Sequence, residues 1–178
     1  MLDGLIGKGY QLIVRPHPQY MRHHGADVKK LKEKYQKYQD EVCFETGFSS
    51  FENVYGSDLL ITDWSGVGYE FCFTTCRPVL FVHTPMKIMN PEYQLIGIES
   101  FAERMHNRVG KALLPENQDQ IGNMVERLLA SGEAYHSEIE RIRREERFHF
   151  GCAAQVGAAD ILSQLKKRQE VKQSKEDK

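Results

Sequence analysis

The spacing of apolar and polar residues along the chain predicts strands and helices that alternate. Continuous apolar runs that are bounded by polar residues are typical of buried strands, and they cover 10–14, 41–45, 58–63 and 78–83. Apolar residues three and four positions apart indicate helices with one packed face. The helices predicted in this way, or by their place between strands, cover 26–39, 67–75, 118–130, 133–146 and 153–165.

The order of these elements predicts an α/β fold with a doubly wound parallel sheet. A strand at 58–63, a helix at 67–75 and a strand at 78–83 form a right-handed βαβ unit, whose two strands must be parallel. The chain opens on a short helix rather than a strand, so we expect the sheet to lack its first strand. Prolines and glycines interrupt 84–111, which we predict to be a long functional loop that contains a helix at 101–108.

Length and composition restrict the classes of protein that the chain can represent. Its 178 residues suit one domain, which we place at 1–165, followed by a charged flexible tail at 166–178. Lys and Arg number 24 against 25 Asp and Glu, so the net charge of -1 argues against a nucleic-acid-binding protein. No apolar run approaches the roughly 20 residues of a membrane span, and no secretion signal precedes the domain. We therefore expect a cytoplasmic protein.

The spacing of the cysteines and histidines predicts neither disulfides nor a metal site. The four cysteines lack paired spacing and lie among apolar residues, which favours reduced thiols in the core. The three histidines at 17, 23 and 24 have no carboxylate or thiol at ligand spacing. No cofactor is expected.

A first polar cluster, Arg15-Pro16-His17-Pro18, directly follows the strand at 10–14. Ligands of open parallel sheets bind beyond the carboxyl ends of the strands. Arg15 offers a planar fork for phosphate oxygens, and His17 can donate a proton or a hydrogen bond near neutral pH. A rigid turn with two exposed basic side chains is the alternative.

A second polar cluster at 62–70 follows the strand at 58–63. If a helix begins near Ser65, the backbone N–H groups of Ser65, Gly66 and Val67 point off its positive end and form an anion site. Glu70 lies about one turn further, where a carboxylate can accept hydrogen bonds from sugar hydroxyls. The alternative is that Ser65 only caps the helix and Glu70 faces solvent.

The sequence RPHP, then TDWSGVGYEF, then RPVLFV resembles the CDP-glycerol glycerophosphotransferase family, the polymerases and primases of teichoic acid and related capsule polymers. The resemblance covers about 10–165. It implies a two-domain GT-B architecture in which this chain is most of the C-terminal, Rossmann-like half that binds the donor.

The resemblance also implies roles for single residues. His17 corresponds to the family's functional histidine near the donor pyrophosphate, with Arg15 beside it. Ser65 and the backbone at Gly66 hold the diphosphate. Val67 belongs to the same anion site.

Four positions follow from the resemblance or depart from it. Asp63 shapes the turn, and Glu70 occupies the acidic position that reaches the ribose. Trp64 stands where the family usually has tyrosine, and Gly66 replaces a serine.

The partners implied are CDP-glycerol or a related nucleotide diphosphate donor, an anionic polymer acceptor and an N-terminal acceptor half that is missing here. Because that half carries a second histidine implicated in catalysis, we expect the isolated chain to bind its donor without completing catalysis. The resemblance also implies a location at the inner face of the bacterial cell membrane.

Two other functions stay open. The segment from Asp63 to Glu70 is similar to a stretch of UDP-N-acetylglucosamine 2-epimerases, which makes a sugar-nucleotide epimerase the first alternative. The second is a noncatalytic module that self-associates through the helix at 153–165, whose apolar face would lie exposed without an acceptor domain.

Overall fold

The computed structural model describes residues 1–47, 50–85, 88, 90–146 and 149–176. In these ranges strands alternate with helices along most of the chain. The strands are β1 (Leu12–Val14), β2 (Val42–Phe44), β3 (Leu60–Thr62), β4 (Val79–Val82) and β5 (Gly110–Leu113). The helices are α1 (Pro18–Lys34), α2 (Glu52–Gly56), α3 (Val67–Thr75), α4 (Phe101–Val109), α5 (Ile121–Ala130), α6 (Gly132–Glu146) and α7 (Ala153–Glu176). Short 3-10 turns cover Leu2–Gly4, Gln36–Tyr38, Tyr93–Ile96 and Pro115–Gln120.

All strand pairs in these ranges are parallel. β1 pairs with β2, and β4 lies between β3 and β5. Val79, Leu80 and Phe81 of the central strand β4 are fully buried, because parallel strands are covered by helices on both faces. The predicted α/β class is confirmed.

The hydrogen-bonded ladder is divided between β1 and β3 in the described part of the chain. β1 and β2 form one sheet, and β3, β4 and β5 form another. Leu12 of β1 and Ile61 of β3 nevertheless pack against one core cluster, which consists of Leu5, Leu80, Leu113, Ile121, Val125 and Leu128. In the strand order 3-2-1-4-5-6, a first strand would lie at this division. The absence of that strand stays a prediction.

Three boundaries differ from the sequence predictions. α1 begins at Pro18 rather than near 26, because proline is well suited to a first helical position and His17 caps the helix. The backbone leaves helical geometry at His24 (φ -130°, ψ 31°), so the predicted helix corresponds to the part of α1 after this kink. β5 begins at the end of the segment 84–111, which was predicted as a loop with one helix, and extends to Leu113. α7 continues to Glu176, so residues 166–176 of the predicted tail are helical. The division of the chain at residue 165 stays a prediction.

The pairing of β5 with β4 depends on a glycine. A Cβ atom at Gly110 would stand 1.7 Å from the carbonyl oxygen of Val79, its partner in the ladder. Only glycine permits this approach. The sequence GKAL has little strand propensity of its own, so the strand forms through its neighbour.

The chain divides into two compact units, Met1–Ile139 and Glu140–Lys178. The first contains every strand named above and both polar clusters. The second contains the end of α6 and all of α7, on which Val156, Ile161, Leu162 and Leu165 are exposed. Among the described residues, no helix combines the length and the apolar character that crossing a bilayer requires.

Candidate functional site

His17 joins the end of β1 to α1 and caps that helix. Its Nδ1 accepts a hydrogen bond of 3.1 Å from the backbone N–H of Gln19, and its backbone oxygen accepts one of 3.0 Å from Met21. Since Nδ1 acts as an acceptor, the neutral imidazole carries its proton on Nε2. The side chain is exposed, so this N–H is available to a ligand.

Arg15 is half-buried, and its described contacts face the end of β2. Its Nη1 lies 3.4 Å from a carboxylate oxygen of Glu45. The guanidinium carbon stands 4.7 Å from the ring centroid of Phe51, a cation–π contact. The sequence predicted that the guanidinium group binds phosphate oxygens. In the structure, part of that group instead contacts Glu45 and Phe51.

The second polar cluster forms a turn between β3 and α3. Asp63 accepts a hydrogen bond of 3.1 Å from the backbone N–H of Ser65 through Oδ1. The N–H of Val67 lies 3.5 Å from Ser65 Oγ, which is the outer limit of a hydrogen bond. The sequence predicted three free N–H donors, at Ser65, Gly66 and Val67. The structure differs at Ser65, whose N–H already has an acceptor.

Open space surrounds the start of α3 at Gly66. A Cβ atom built there would meet no atom within 4 Å, and within the described residues its N–H has no hydrogen-bond partner. Glu70 lies exposed on the first turn of the same helix. The turn thus presents the Gly66 N–H, and more weakly the Val67 N–H, at the positive end of a helix dipole.

Gly68 sets the close approach of α3 to the sheet. A Cβ atom at this buried glycine would stand 2.8 Å from Cε1 of Phe81 and 3.3 Å from Cγ2 of Thr62. The lack of a side chain therefore lets the first turn of α3 lie directly on β3 and β4.

A pair of histidines lies beside this turn. The sequence placed its first member, His83, at the ligand-facing edge of the sheet, but it did not indicate the pairing with His106. His83 follows β4 directly, and its Nε2 is 2.8 Å from Nδ1 of His106 on α4. We call these two residues the histidine pair. Trp64 stacks on His83 with ring centroids 4.6 Å apart, while the indole N–H donates to the backbone oxygen of Thr84 at 2.7 Å.

The interior position of the histidine pair keeps it neutral near pH 7. His106 is 2% exposed, and burial first, then the neighbouring His83, lowers its pKa to about 4. Burial also lowers the pKa of His83. Burial likewise raises the pKa of the Tyr69 hydroxyl, on α3, to about 12.

Comparison with family models gives a match to the CDP-glycerol:poly(glycerophosphate) glycerophosphotransferase family over residues 2–90, half of the chain. This chain belongs to that family. No curated protein and no solved structure matches the chain. The family predicted from the RPHP and TDWSGVGYEF motifs is confirmed.

The stretch that matches the glycerophosphotransferase family contains both polar clusters and His83, and it ends before His106. His83 could be noticed in the sequence because it ends a buried strand. His106 had no such signal: it lies 23 residues further along the chain, and folding brings it to His83.

Proposed function

We propose that this chain is the donor-binding part of a glycerophosphotransferase, and that its ligand is CDP-glycerol or a related nucleotide diphosphate. The observation that carries the proposal is the position of the two polar clusters within the family match. One follows the carboxyl end of β1 and the other that of β3, where open α/β sheets bind ligands. The GT-B architecture and the separate acceptor half belong to the same proposal.

The diphosphate binds at the start of α3 in this proposal. The Gly66 and Val67 N–H groups donate to its oxygens, and the space at Gly66 admits them close to the backbone. Ser65 contributes through its hydroxyl, while Asp63 keeps the turn in shape through its bond to the Ser65 N–H.

The proposed reaction transfers glycerol phosphate from the donor to an anionic polymer. An oxygen of the acceptor bonds to the phosphorus that carries the glycerol, and the bond from that phosphorus to the bridging oxygen breaks. The nucleoside monophosphate leaves with the electron pair. The proton of the acceptor hydroxyl goes to a base that we place outside this chain.

His17 and Arg15 stabilise negative charge during this step. The exposed Nε2–H of His17 donates a hydrogen bond to the transferring phosphate, and such donors act most strongly on the charge that develops in the transition state. Arg15, held by Glu45 and Phe51, contributes positive charge from the end of β1.

Glu70 completes the proposed donor site by accepting hydrogen bonds from the ribose. Its exposed position one turn into α3 leaves the carboxylate open to a ligand. We further propose that the enzyme works at the inner face of the cell membrane, where a cell-surface polymer is assembled from cytoplasmic nucleotides.

Calorimetric titration of the chain with CDP-glycerol, CDP, UDP and UDP-N-acetylglucosamine tests the proposal. We expect the cytidine ligands to bind. His17→Asn should weaken CDP-glycerol about tenfold, since a hydrogen bond to a charged group contributes about 1.5 kcal/mol or more. Asparagine is a strong helix cap, so this variant removes Nε2 and keeps the start of α1.

His23→Asn is the matched control, because His23 is an exposed histidine of the same helix that lies outside both clusters. It should bind CDP-glycerol as the wild type does. Selective binding of the uridine ligands would favour the epimerase alternative instead. Failure of both cytidine ligands to bind would contradict the proposed donor site.

A self-associating module is the second candidate function. One observation favours it: Ile161, Leu162 and Leu165 of α7 are each more than half exposed. Apolar side chains grouped in this way are typical of surfaces that bind another chain.

A further inference from the structure

His83 lies next to the turn that we propose as the phosphate site. Trp64 follows β3 and His83 follows β4, and these two strands are parallel neighbours in which Thr62 is paired with Phe81. The rings of Trp64 and His83 stack at 4.6 Å. Because Ser65 is the next residue after Trp64, the imidazole of His83 borders the start of α3.

The hydrogen bond within the histidine pair has two possible directions. In one, His83 Nε2–H donates to Nδ1 of His106, which leaves a proton on the Nε2 of His106. In the other, His106 Nδ1–H donates to Nε2 of His83, which leaves a proton on the Nδ1 of His83. Both rings are neutral in either arrangement.

The surroundings of His106 distinguish these arrangements. Its Nε2 is buried, and no hydrogen-bond partner for it exists among the described residues. A buried N–H without an acceptor is rarer in proteins than an acceptor without a donor, and it carries the full cost of desolvation. The second arrangement is therefore favoured, and it places a proton on His83 Nδ1.

Packing holds the pair in this geometry. The ring of His106 stacks on Phe81 with centroids 3.8 Å apart, and Phe81 is fully buried. The helix that carries His106 begins with a capping box, in which Ser100 and Glu103 bond each other reciprocally. His83, in contrast, is only half-buried, and no acceptor for its Nδ1 lies in the described part of the chain.

We propose that His83 donates a hydrogen bond from Nδ1 to a phosphate oxygen of the nucleotide diphosphate, and that His106 is the positioning residue that fixes the required tautomer. This inference rests on the proposed function, because it takes the ligand to bind at Ser65–Val67. It adds a ligand-binding residue directly after β4 and a positioning residue on α4, which lies beyond the family match.

The tautomers can be measured without any ligand. We expect nitrogen NMR of the full chain, labelled at histidine, to show a protonated Nδ1 and a bare Nε2 for both members of the pair near pH 7. His83→Asn and His106→Asn variants assign the signals. A proton on Nε2 of His83 would overturn the proposal, whatever the chain binds.

Titration with CDP-glycerol tests the role toward the ligand. His83→Phe keeps a ring to stack on Trp64 but has no donor, and we expect it to raise the Kd about tenfold. His83→Asn keeps an N–H close to the position of Nδ1 and should recover most of that loss. Equal affinities of the wild type and His83→Phe would overturn the proposal.

A comparison of two His106 variants tests its positioning role. His106→Asn keeps a donor near Nδ1, whereas His106→Leu has none, so only the leucine variant should shift the tautomer of His83 and weaken CDP-glycerol severalfold. An unchanged His83 tautomer in His106→Leu would contradict this role.

The two proposals fail in different ways. If the wild type binds no CDP-glycerol, the proposed function fails and the role of His83 toward the donor fails with it, whereas the NMR tautomers are unaffected. If the wild type binds and His83→Phe binds equally, only the further inference fails.

Discussion

At the scale of single residues, His17 uses one ring nitrogen for structure and leaves the other exposed. Nδ1 of His17 accepts the Gln19 N–H and so caps α1, while Nε2 stays exposed. Replacing a helix cap with alanine typically costs about 1 kcal/mol of stability. An alanine variant at position 17 would therefore mix a loss of stability with a loss of binding, which is why asparagine gives the clearer test.

Burial of His106 makes the stability of the fold depend on pH. Its pKa of about 4 in the fold lies below the ordinary histidine value of 6.5. The unfolded chain therefore takes up the proton first as the pH falls. The stability that the neutral ring provides is complete above pH 6.5 and is lost as the pH falls toward 4.

We expect the wild type to lose roughly 2 kcal/mol more unfolding free energy than His106→Asn between pH 7 and pH 5. Urea denaturation of both proteins at the two pH values measures the difference. Groups that do not contact His106 contribute equally to both proteins and cancel. Equal losses would contradict the burial of a neutral His106.

At the scale of elements, the position of α3 depends on a glycine that faces an aromatic ring. Gly68 lies where a Cβ atom would be 2.8 Å from Phe81. Phe81 cannot move aside without disturbing His106, on which its ring stacks. The turn at Ser65–Val67 and the histidine pair are thus coupled through the packing of one helix on two strands.

Gly68→Ala should lower the free energy of unfolding by about 1 kcal/mol. Alanine gains about 1 kcal/mol of helix propensity, but overpacking a full core commonly costs about 1–3 kcal/mol. Here the obstructing atoms belong to a fixed ring, so the cost dominates. Urea denaturation measures the change.

Gly157→Ala is the matched control for this substitution. Gly157 lies in the interior of α7, and a Cβ atom there meets nothing within 4 Å. It should leave the stability unchanged or raise it slightly. An equal loss in both variants would show that contact with Phe81 is not the cause.

At the scale of the whole molecule, each of the two compact units exposes apolar side chains. The first unit has a buried core around β4 and exposes Leu95, Ile96 and Ile98, whereas α7 in the second exposes Val156, Ile161, Leu162 and Leu165. If this apolar face binds a second copy of the chain, the mass in solution depends on concentration.

Light scattering over a range of concentrations measures that mass. We expect the wild type to self-associate and the double variant Ile161→Glu, Leu162→Glu to stay monomeric, since charge on the face opposes its burial. Ser163→Glu adds charge to the same helix without removing an apolar side chain, and it should still associate. A wild type that stays monomeric would count against the second candidate function.

Local sequence was sufficient where an element depends on its own residues. The run at 58–63, the helix at 67–75 and the run at 78–83 predicted β3, α3 and β4 to within about two residues, because a continuous apolar run and a helical spacing report burial directly. The RPHP and TDWSGVGYEF motifs also predicted the family, which the match confirms.

Contacts between distant residues required the tertiary structure. β5 was missed because its four residues form a strand only where Gly110 lies against Val79. The number of free N–H donors at Ser65–Val67 was overestimated, since the carboxylate of Asp63 accepts a hydrogen bond from the N–H of Ser65.

By itself, the sequence determined the α/β class, the family and the two polar clusters, since each depends on residues that are close together in the chain. The tertiary structure alone decided that His83 meets His106, that Trp64 covers His83, and that Arg15 is held by Glu45. The physical reason is that a side chain's hydrogen-bond partner and burial, and with them its tautomer and pKa, are set by neighbours that only folding brings together.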